Sequence, residues 1–325
     1  MTFASMAFGS MTFALALEIV LAAVVLTGAV WAIAARETLP AVAGFVAYGL
    51  LLSLVWVHLG APDVALTEAA IGSGLTGALL VGAAARLRLS EVPMAVEHPG
   101  VILRMPAAVL SVTVAAALAA SVLLLPDPAP TLAPSAAENA AATSLGNPVT
   151  NVLMAFRAMD TLLEKIVLLL ALIGVWSLAP DRFWGGRPGP RHYADPQGVL
   201  AFVARVLPPV GIIVGIYILW TSADHPGGAF QGGTILAAMW LLVMMAGLTD
   251  APPVGERRLR LLLLAGPVVF LVIGLSGLAF GDAFLAYPMA YAKPLILAIE
   301  FAMILTIAVT LGLLVAGPPE REPGS

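Results

Sequence analysis

The sequence predicts an all-α polytopic membrane protein with about nine transmembrane helices, and two observations carry this prediction. Of the 325 residues, 61% are hydrophobic and only 10% are charged, which is typical of integral membrane proteins. Apolar segments of about 20 residues, long enough to cross a hydrocarbon core as an α-helix, recur along almost the whole chain. They lie at roughly 11–34, 40–59, 63–86, 105–125, 150–178, 198–220, 229–248, 260–280 and 293–316.

The basic residues predict the orientation of these segments. Arginines concentrate in the odd-numbered connections, whereas the even-numbered connections contain no Lys or Arg. The positive-inside rule therefore places the N-terminus outside and the C-terminus, which carries Arg321, in the cytoplasm. No basic leader precedes the first segment, so we expect it to be retained. A bacterial-type inner (plasma) membrane is the simplest localisation.

Composition argues against cofactor chemistry. The chain has no Cys, which excludes disulfides and iron–sulfur ligation, and its four His are scattered. Phosphate-binding loops, dinucleotide fingerprints and nucleophile elbows are also missing from the sequence. A net charge of −4 without a basic stripe gives nucleic acid nothing to bind. We expect a transport protein without a cofactor or a metal site.

Two composition breaks divide the chain into three modules. Residues 126–149 contain four prolines within nine positions and then small and polar residues, which predicts an extended, poorly ordered external linker. A second break, rich in Gly, Pro and Arg, follows at 181–197. The predicted modules are residues 1–95 with three helices, 96–178 with two helices flanking the linker, and 179–325 with four.

Charged residues inside the apolar segments are the candidates for function. These are Glu18, Glu68, Arg157, Asp160, Glu164, Lys165 and Glu300, with Asp63 and Lys293 at segment ends. Seven unpaired charges at the bilayer centre would cost roughly 20 kcal/mol, more than the typical stability of a folded protein of about 5–15 kcal/mol. These groups must therefore be paired, protonated or hydrated.

The fifth apolar segment has the most charges. Arg157, Asp160 and Glu164 share one stripe of a helix that turns about 100° per residue, and Lys165 lies on its flank. One interpretation is an ion-pair network that anchors this helix to its neighbours. The other is a relay that passes charge along the membrane.

The remaining acids also allow two interpretations. Asp63 follows Pro62 and suits the first turn of a helix, whereas Glu68 has no local base and needs a hydrated or protonated state. Lys293 and Glu300 are about 10.5 Å apart along one helix, too far to pair, so each needs a partner on another helix. Glu18 is alone on the first segment.

Glycines interrupt the start of the seventh segment. Pro226 precedes four glycines within seven positions, namely Gly227, Gly228, Gly232 and Gly233. Glycine favours irregular backbone, so a broken helix end is expected here. Such backbone is tolerated at membrane depth only against protein or water, so this segment should face the bundle or a wet cavity.

Three motifs together resemble Mrp-type sodium/proton antiporters. Residues 61–69 (APDVALTEA) resemble the PDVALTEA segment, which occurs at the C-terminal end of the large Mrp antiporter protein and in the small MbhD-like protein of membrane-bound hydrogenases. Residues 156–164 (FRAMDTLLE) resemble the FRxxDTxxE helix of the MbhE-like module that follows. Residues 226–233 (PGGAFQGG) resemble the PGGGFQGG segment of the MnhB-like module.

This resemblance implies a non-enzymatic component of a multi-subunit Mrp-type antiporter, in which large antiporter-like subunits and small membrane subunits are the partners. Protons and Na⁺ would be the transported ions. By position, Asp63, Glu68, Arg157, Asp160 and Glu164 match motif residues. Lys165 departs from the family pattern, where an apolar residue is usual. Two alternatives stay open: an equivalent subunit of a redox-driven complex such as a membrane hydrogenase, and a purely structural connector.

Overall fold

The described part of the chain is mainly helical, as predicted. A computed structural model describes residues 3–89, 100–193, 195–280 and 283–322, without the side chains of residues 3–14, 88–89 and 101. Within these ranges seven helices are long and apolar enough to cross a membrane. Of the other two predicted segments, one forms a helix of 19 residues with three charged side chains, and the other forms an apolar helix of 17 residues. Nine spans and their orientation stay predictions.

The first module contains an interrupted third helix. Helices α1 (Phe3–Ala34) and α2 (Thr38–His58) pack together, and α2 also packs along the whole of the next segment. That segment is α3 (Pro62–Thr67), a π-helical stretch over Glu68–Leu75, and α4 (Thr76–Leu89). The sequence predicted one continuous helix. The predicted boundary at residue 95 lies outside the described residues.

The linker of the second module is more ordered than predicted. After α5 (Val101–Leu123), whose described side chains are all exposed, the expectation of an extended segment is wrong for residues 133–149. This part forms α6 (Ala133–Asn139), a 3₁₀ turn (Ala140–Thr143) and the start of α7 (Pro148–Asn151). Polar side chains at positions 143, 147, 150 and 151 are buried, and their hydrogen bonds hold the segment in place.

The charged helix of the second module begins later than expected. A π-helical turn (Val152–Phe156) follows α7, and α8 runs over Ala158–Trp176. Arg157 lies at the junction with φ −125°, outside the helical range. The segment predicted as one helix over 150–178 is therefore broken directly before its acidic residues.

In the third module, helices surround a central α12. This module consists of α9 (Val199–Thr221), α10 (Ala229–Met245), α11 (Arg257–Phe280) and α12 (Ala292–Ala316). Helix α12 packs against α8, α9, α10 and α11, and Ile296, Ile299 and Ile307 on it are fully buried. A helix that is apolar all round belongs in such a central position. A short antiparallel pair, β1 (Arg187–Pro188) with β2 (Pro319–Arg321), was not predicted.

Candidate intramembrane ion path

Asp63 connects all three modules. It lies in the first turn of α3, after Pro62, but its side chain turns away from its own helix and is buried. Its Oδ1 atom accepts hydrogen bonds from the backbone N–H of Gly227 at 2.9 Å and from Nδ2 of Asn147 at 3.3 Å. Asn147 also donates to the carbonyl oxygen of His225 at 2.9 Å. The carboxylate therefore fastens the first module to the linker and to the glycine motif.

A second hydrogen bond joins the same two motifs one helical turn further on. Nε2 of Gln231 donates to the hydroxyl of Thr67 at 3.1 Å. Thr67 in turn donates to the carbonyl oxygen of Asp63 at 2.9 Å. Gln231 thus links α10 to Thr67, the residue that precedes Glu68.

Glu68 is the first residue of the π-helical stretch. Its carboxylate is half-buried and lies against Gly72 and Gly49, where a Cβ atom on either glycine would contact it. Among the described residues it has no hydrogen-bond or ion-pair partner. The neighbouring hydroxyl of Ser73 is buried and also lacks a partner. A π-helical turn often marks a functional site, and here it creates a polar niche that the chain itself leaves unsatisfied.

Glu300 is the most deeply placed acid of the third module. It is 4% exposed, and its Oε2 atom accepts a hydrogen bond of 2.6 Å from the hydroxyl of Ser222. The backbone N–H of Ala229, the first residue of α10, also donates to it. A helix N-terminus stabilises negative charge, so the broken start of α10 supports this carboxylate. The sequence predicted a partner on another helix for Glu300, and the structure places Ser222, the residue directly after α9, beside it.

Lys165 brings positive charge from the second module to Glu300. It is 3% exposed, and its Nζ atom lies 3.0 Å from Oε1 of Glu164 and 4.2 Å from the centre of the Phe230 ring. Its charge also interacts with that of Glu300. The ammonium group therefore contacts one carboxylate and an aromatic face, and it lies within electrostatic range of a second carboxylate.

The other charges of the α8 stripe face outwards. Arg157 and Asp160 form the predicted i,i+3 ion pair at 2.6 Å, with side chains 69% and 55% exposed. The Glu164 side chain is 51% exposed. This stripe lies on the outer face of the chain rather than inside its bundle.

Two predicted residues pair away from this group. Lys293 contacts both carboxylate oxygens of Asp224, in the connection between α9 and α10, at 2.8 Å. The Lys293 ammonium holds the pKa of the Asp224 carboxyl below its usual value. Glu18 lies 3.6 Å from Nε2 of His58, an ion pair when the imidazole is protonated.

The glycine motif has the predicted irregular start. Helix α10 begins only at Ala229, and Gly227 has φ +152°, with the carbonyl oxygen of Ile218 where a Cβ atom would lie. Gly232 and Gly233 lie inside the helix, where a Cβ would meet Ile304 and Ile307 of α12 at 2.8 and 2.7 Å. The four glycines are buried within the bundle, whereas Pro226 is exposed.

Two regions of the chain match family models of known protein domains. The MbhD family model, which describes one of the MBH subunits, matches residues 23–89. A model for a domain related to the MnhB subunit of Na⁺/H⁺ antiporter matches residues 199–318. The chain is 26% identical over 276 residues to a probable A/B-type component of a K⁺/H⁺ antiporter from Rhizobium meliloti. The chain resembles the components of Mrp/Mnh-type antiporters.

Solved structures agree with this Mrp/Mnh resemblance. A chain of the Mrp complex from Dietzia sp. DQ12-45-1b matches with a TM-score of 0.69 and 25% identity, covering 94% of this chain and 35% of that one. A chain of an archaeal membrane-bound sulfane sulfur reductase shares the fold, with a TM-score of 0.55 and 23% identity over 66% of this chain and 97% of that one. Together with the seven long apolar helices, these matches indicate a multi-pass membrane protein.

The Mrp/Mnh-like chain spans only part of the length of the curated relatives that it matches. It spans 26% of the Rhizobium protein. It also spans 59% of an uncharacterized protein of Methanocaldococcus jannaschii, with 27% identity over 154 residues, or 43% of this chain.

Sequence reasoning missed the uncharged members of the site. Ser222, Asn147 and Ser73 are single polar residues in apolar or loop segments, and no local pattern distinguishes them from ordinary polar residues. Phe230 and Gln231 stand out in the sequence only as members of the glycine motif. Their roles depend on which helices meet, and a local pattern carries no information about that.

Proposed function

We propose that this chain is a membrane subunit of a multi-subunit cation/proton antiporter and that Glu300 lies on an ion path through it. The observation that carries the proposal is the position of this carboxylate. It is buried where α9, α10 and α12 meet and accepts hydrogen bonds from Ser222 and Ala229. An ionisable group inside a membrane protein is expensive, and it commonly marks an ion or proton pathway.

The path runs through side chains of all three modules. In order, these are Glu68, Thr67, Gln231, Glu300, Lys165 and Glu164, followed by Asp160 and Arg157 on the outer face of α8. The contacts Thr67–Gln231 and Lys165–Glu164 support this order. The side chains of Gln231 and Glu300 also converge on Gly228, where a Cβ atom would contact both. Na⁺ is the cation that we expect to exchange for protons.

We assign the other predicted residues a structural role beside the path. Asp63 holds the first module and the linker against the start of α10, and Lys293 holds the Asp224 connection beside it. Glu18 pairs with His58 at the end of α2. We assign these three residues to fastening the helices.

Other subunits of the complex are the expected partners. The Arg157, Asp160 and Glu164 side chains are more than half exposed, and charges that face lipid are costly. A neighbouring protein with polar side chains or bound water would cover this stripe and continue the path. The likeness to a chain of an Mrp complex and to the Rhizobium antiporter component supports large antiporter-like neighbours.

Two other functions have support. The match to the MbhD model and the fold shared with a sulfane sulfur reductase chain favour an ion-translocating subunit of a redox-driven complex. Antiport that proceeds without any electron donor would exclude this alternative. The hydrogen bonds of Asp63 favour a purely structural connector, which predicts that charge-neutralising variants lower complex yield while the surviving complexes exchange ions normally.

The test is antiport in vesicles that contain the assembled complex, driven by an imposed pH gradient and measured separately with Na⁺ and K⁺. Glu300→Gln and Glu68→Gln should abolish or strongly lower exchange at unchanged complex yield. Glu138→Gln, at an exposed glutamate of the linker helix α6, is the matched control and should behave as wild type. Normal exchange by the assembled Glu300→Gln complex contradicts the proposal.

A further inference from the structure

The surroundings of the Lys165 ammonium are those of a site for a monovalent cation. It has a carboxylate oxygen of Glu164 at 3.0 Å, the ring face of Phe230 at 4.2 Å from its centre, and the charge of Glu300 on the inner side. Carboxylate oxygens and an aromatic face attract an ammonium group and a free alkali cation by the same electrostatics.

An ion pair with Glu164 does not by itself explain why Lys165 is buried. The Glu164 side chain is 51% exposed on the outer face of α8, where a lysine could reach it while remaining exposed itself. Lys165 is instead 3% exposed and lies over Phe230, a residue of the third module. Burial of an ammonium group carries a large desolvation penalty, which several favourable contacts must offset. The inward position therefore needs Phe230 and Glu300 as well as Glu164.

We propose that Lys165 is a tethered substitute for an alkali cation and thereby determines selectivity at Glu300. Its ammonium group occupies the position beside Glu164 and Phe230, within electrostatic range of Glu300, so that Na⁺ or K⁺ is excluded there while a proton can still reach the Glu300 carboxylate. This proposal rests on the proposed function for the path itself. It adds that alkali cations cross the complex at another position.

Removal of the ammonium group should open the site. Lys165→Met keeps an unbranched chain of similar length without the charge, and it leaves the Glu164 carboxylate and the Phe230 ring at the gap, with the charge of Glu300 nearby. We expect the purified Lys165→Met complex to gain a binding site for Na⁺ or K⁺ that the wild type lacks. Binding to the folded state raises the unfolding temperature by mass action.

The experiment measures the unfolding midpoint of the purified complex in NaCl, KCl or N-methylglucamine chloride at constant ionic strength. For Lys165→Met we expect Na⁺ or K⁺ to raise the midpoint by about 2–4 °C at a tenfold excess over its dissociation constant. The wild type and the double variant Lys165→Met/Glu300→Gln should lack this additional rise, whatever response they show to a cation bound elsewhere in the complex. A Lys165→Met complex that responds no more than the wild type, or whose additional response survives Glu300→Gln, overturns the proposal.

A second comparison applies even where Lys165→Met does not assemble. If Lys165 already occupies the site, Glu300→Gln in the otherwise wild-type complex should leave the response to Na⁺ and K⁺ unchanged. A Glu300-dependent alkali-cation effect in the presence of Lys165 overturns the proposal. The two proposals can be contradicted independently. Normal antiport by the Glu300→Gln complex would contradict the ion path, whereas the binding measurements test only whether Lys165 occupies a cation site.

Discussion

The carboxylate of Asp63 and the backbone N–H of Gly227 are 164 positions apart in sequence and form a hydrogen bond of 2.9 Å. Each belongs to a motif that the sequence makes conspicuous, PDVALTEA in one case and PGGAFQGG in the other. Their hydrogen bond joins the two motifs in the folded protein. It also brings Glu68 and the Glu300 pocket to the same part of the molecule, through Thr67 and Gln231.

Asp63→Ala should destabilise the protein more than Asp63→Asn. Alanine leaves the buried donors of Gly227 and Asn147 without an acceptor, at a cost of about 1–3 kcal/mol, whereas asparagine keeps one side-chain oxygen. We expect a lower unfolding midpoint and lower complex yield for Asp63→Ala, with near-normal antiport for assembled Asp63→Asn. Loss of antiport in a fully assembled Asp63→Asn complex would show that the charge itself is required.

Gly72→Ala should displace the carboxylate of Glu68. A Cβ atom on Gly72 would overlap that carboxylate, which lies directly against this position. We expect antiport to fall to a small fraction of the wild-type rate while complex yield changes little. Gly82→Ala in α4 is the control, because no atom lies within 4 Å of the added Cβ. Equal antiport rates in both variants would indicate that Glu68 is not on the path.

Gly232→Ala should weaken the packing of α10. The added Cβ would lie 2.6 Å from the backbone oxygen of Gly215 in α9 and 2.8 Å from Ile304 in α12. A backbone atom cannot rotate away, so we expect about 1–3 kcal/mol of destabilisation, measured by denaturant unfolding in detergent. Gly82→Ala should be neutral or slightly stabilising, since alanine favours helix by about 1 kcal/mol over glycine. An unchanged unfolding free energy for Gly232→Ala would contradict the close packing of α9, α10 and α12.

The Asp224–Lys293 pair should make a small, pH-dependent contribution to stability. Its hydrogen bond lowers the pKa of the Asp224 carboxyl in the folded state. The contribution is therefore present above the unfolded pKa of about 3.9 and is lost as pH falls through the folded value. Lys293→Gln should lower the unfolding midpoint slightly at pH 7, and its difference from the wild type should shrink as the pH falls below about 4. Because both side chains are partly exposed, the difference should be modest, and a constant difference across this pH range would contradict the assignment.

Some features of the site follow from local sequence. The Arg157–Asp160 pair depends only on spacing along the chain, and it forms as predicted. The irregular start of α10 depends on the conformational freedom of Gly227, and the backbone there is irregular. The nine apolar segments correspond to helices because segment length and the need to satisfy backbone hydrogen bonds in lipid leave few alternatives.

Other features depend on contacts between distant segments. The linker was predicted to be extended because prolines followed by small and polar residues are typical of flexible linkers, but Asn147 finds partners at Asp63 and His225 that order it. The break of α8 before Asp160 and the π-helical stretch at Glu68 likewise have no signal in apolar periodicity. The pairing of Glu18 with His58 needs α1 and α2 side by side.

By itself, the sequence determined that this is a helical membrane protein and which charged residues have to find partners. Hydrophobicity and charge are properties of single residues and short segments, so they can be read along the chain. Only the tertiary structure decided that Lys165 faces Phe230 and Glu300 inside the bundle, whereas Glu164, the preceding residue, faces outwards. That choice depends on which helices surround α8, because burying an ammonium group is favourable only where carboxylates and an aromatic face from other segments already meet.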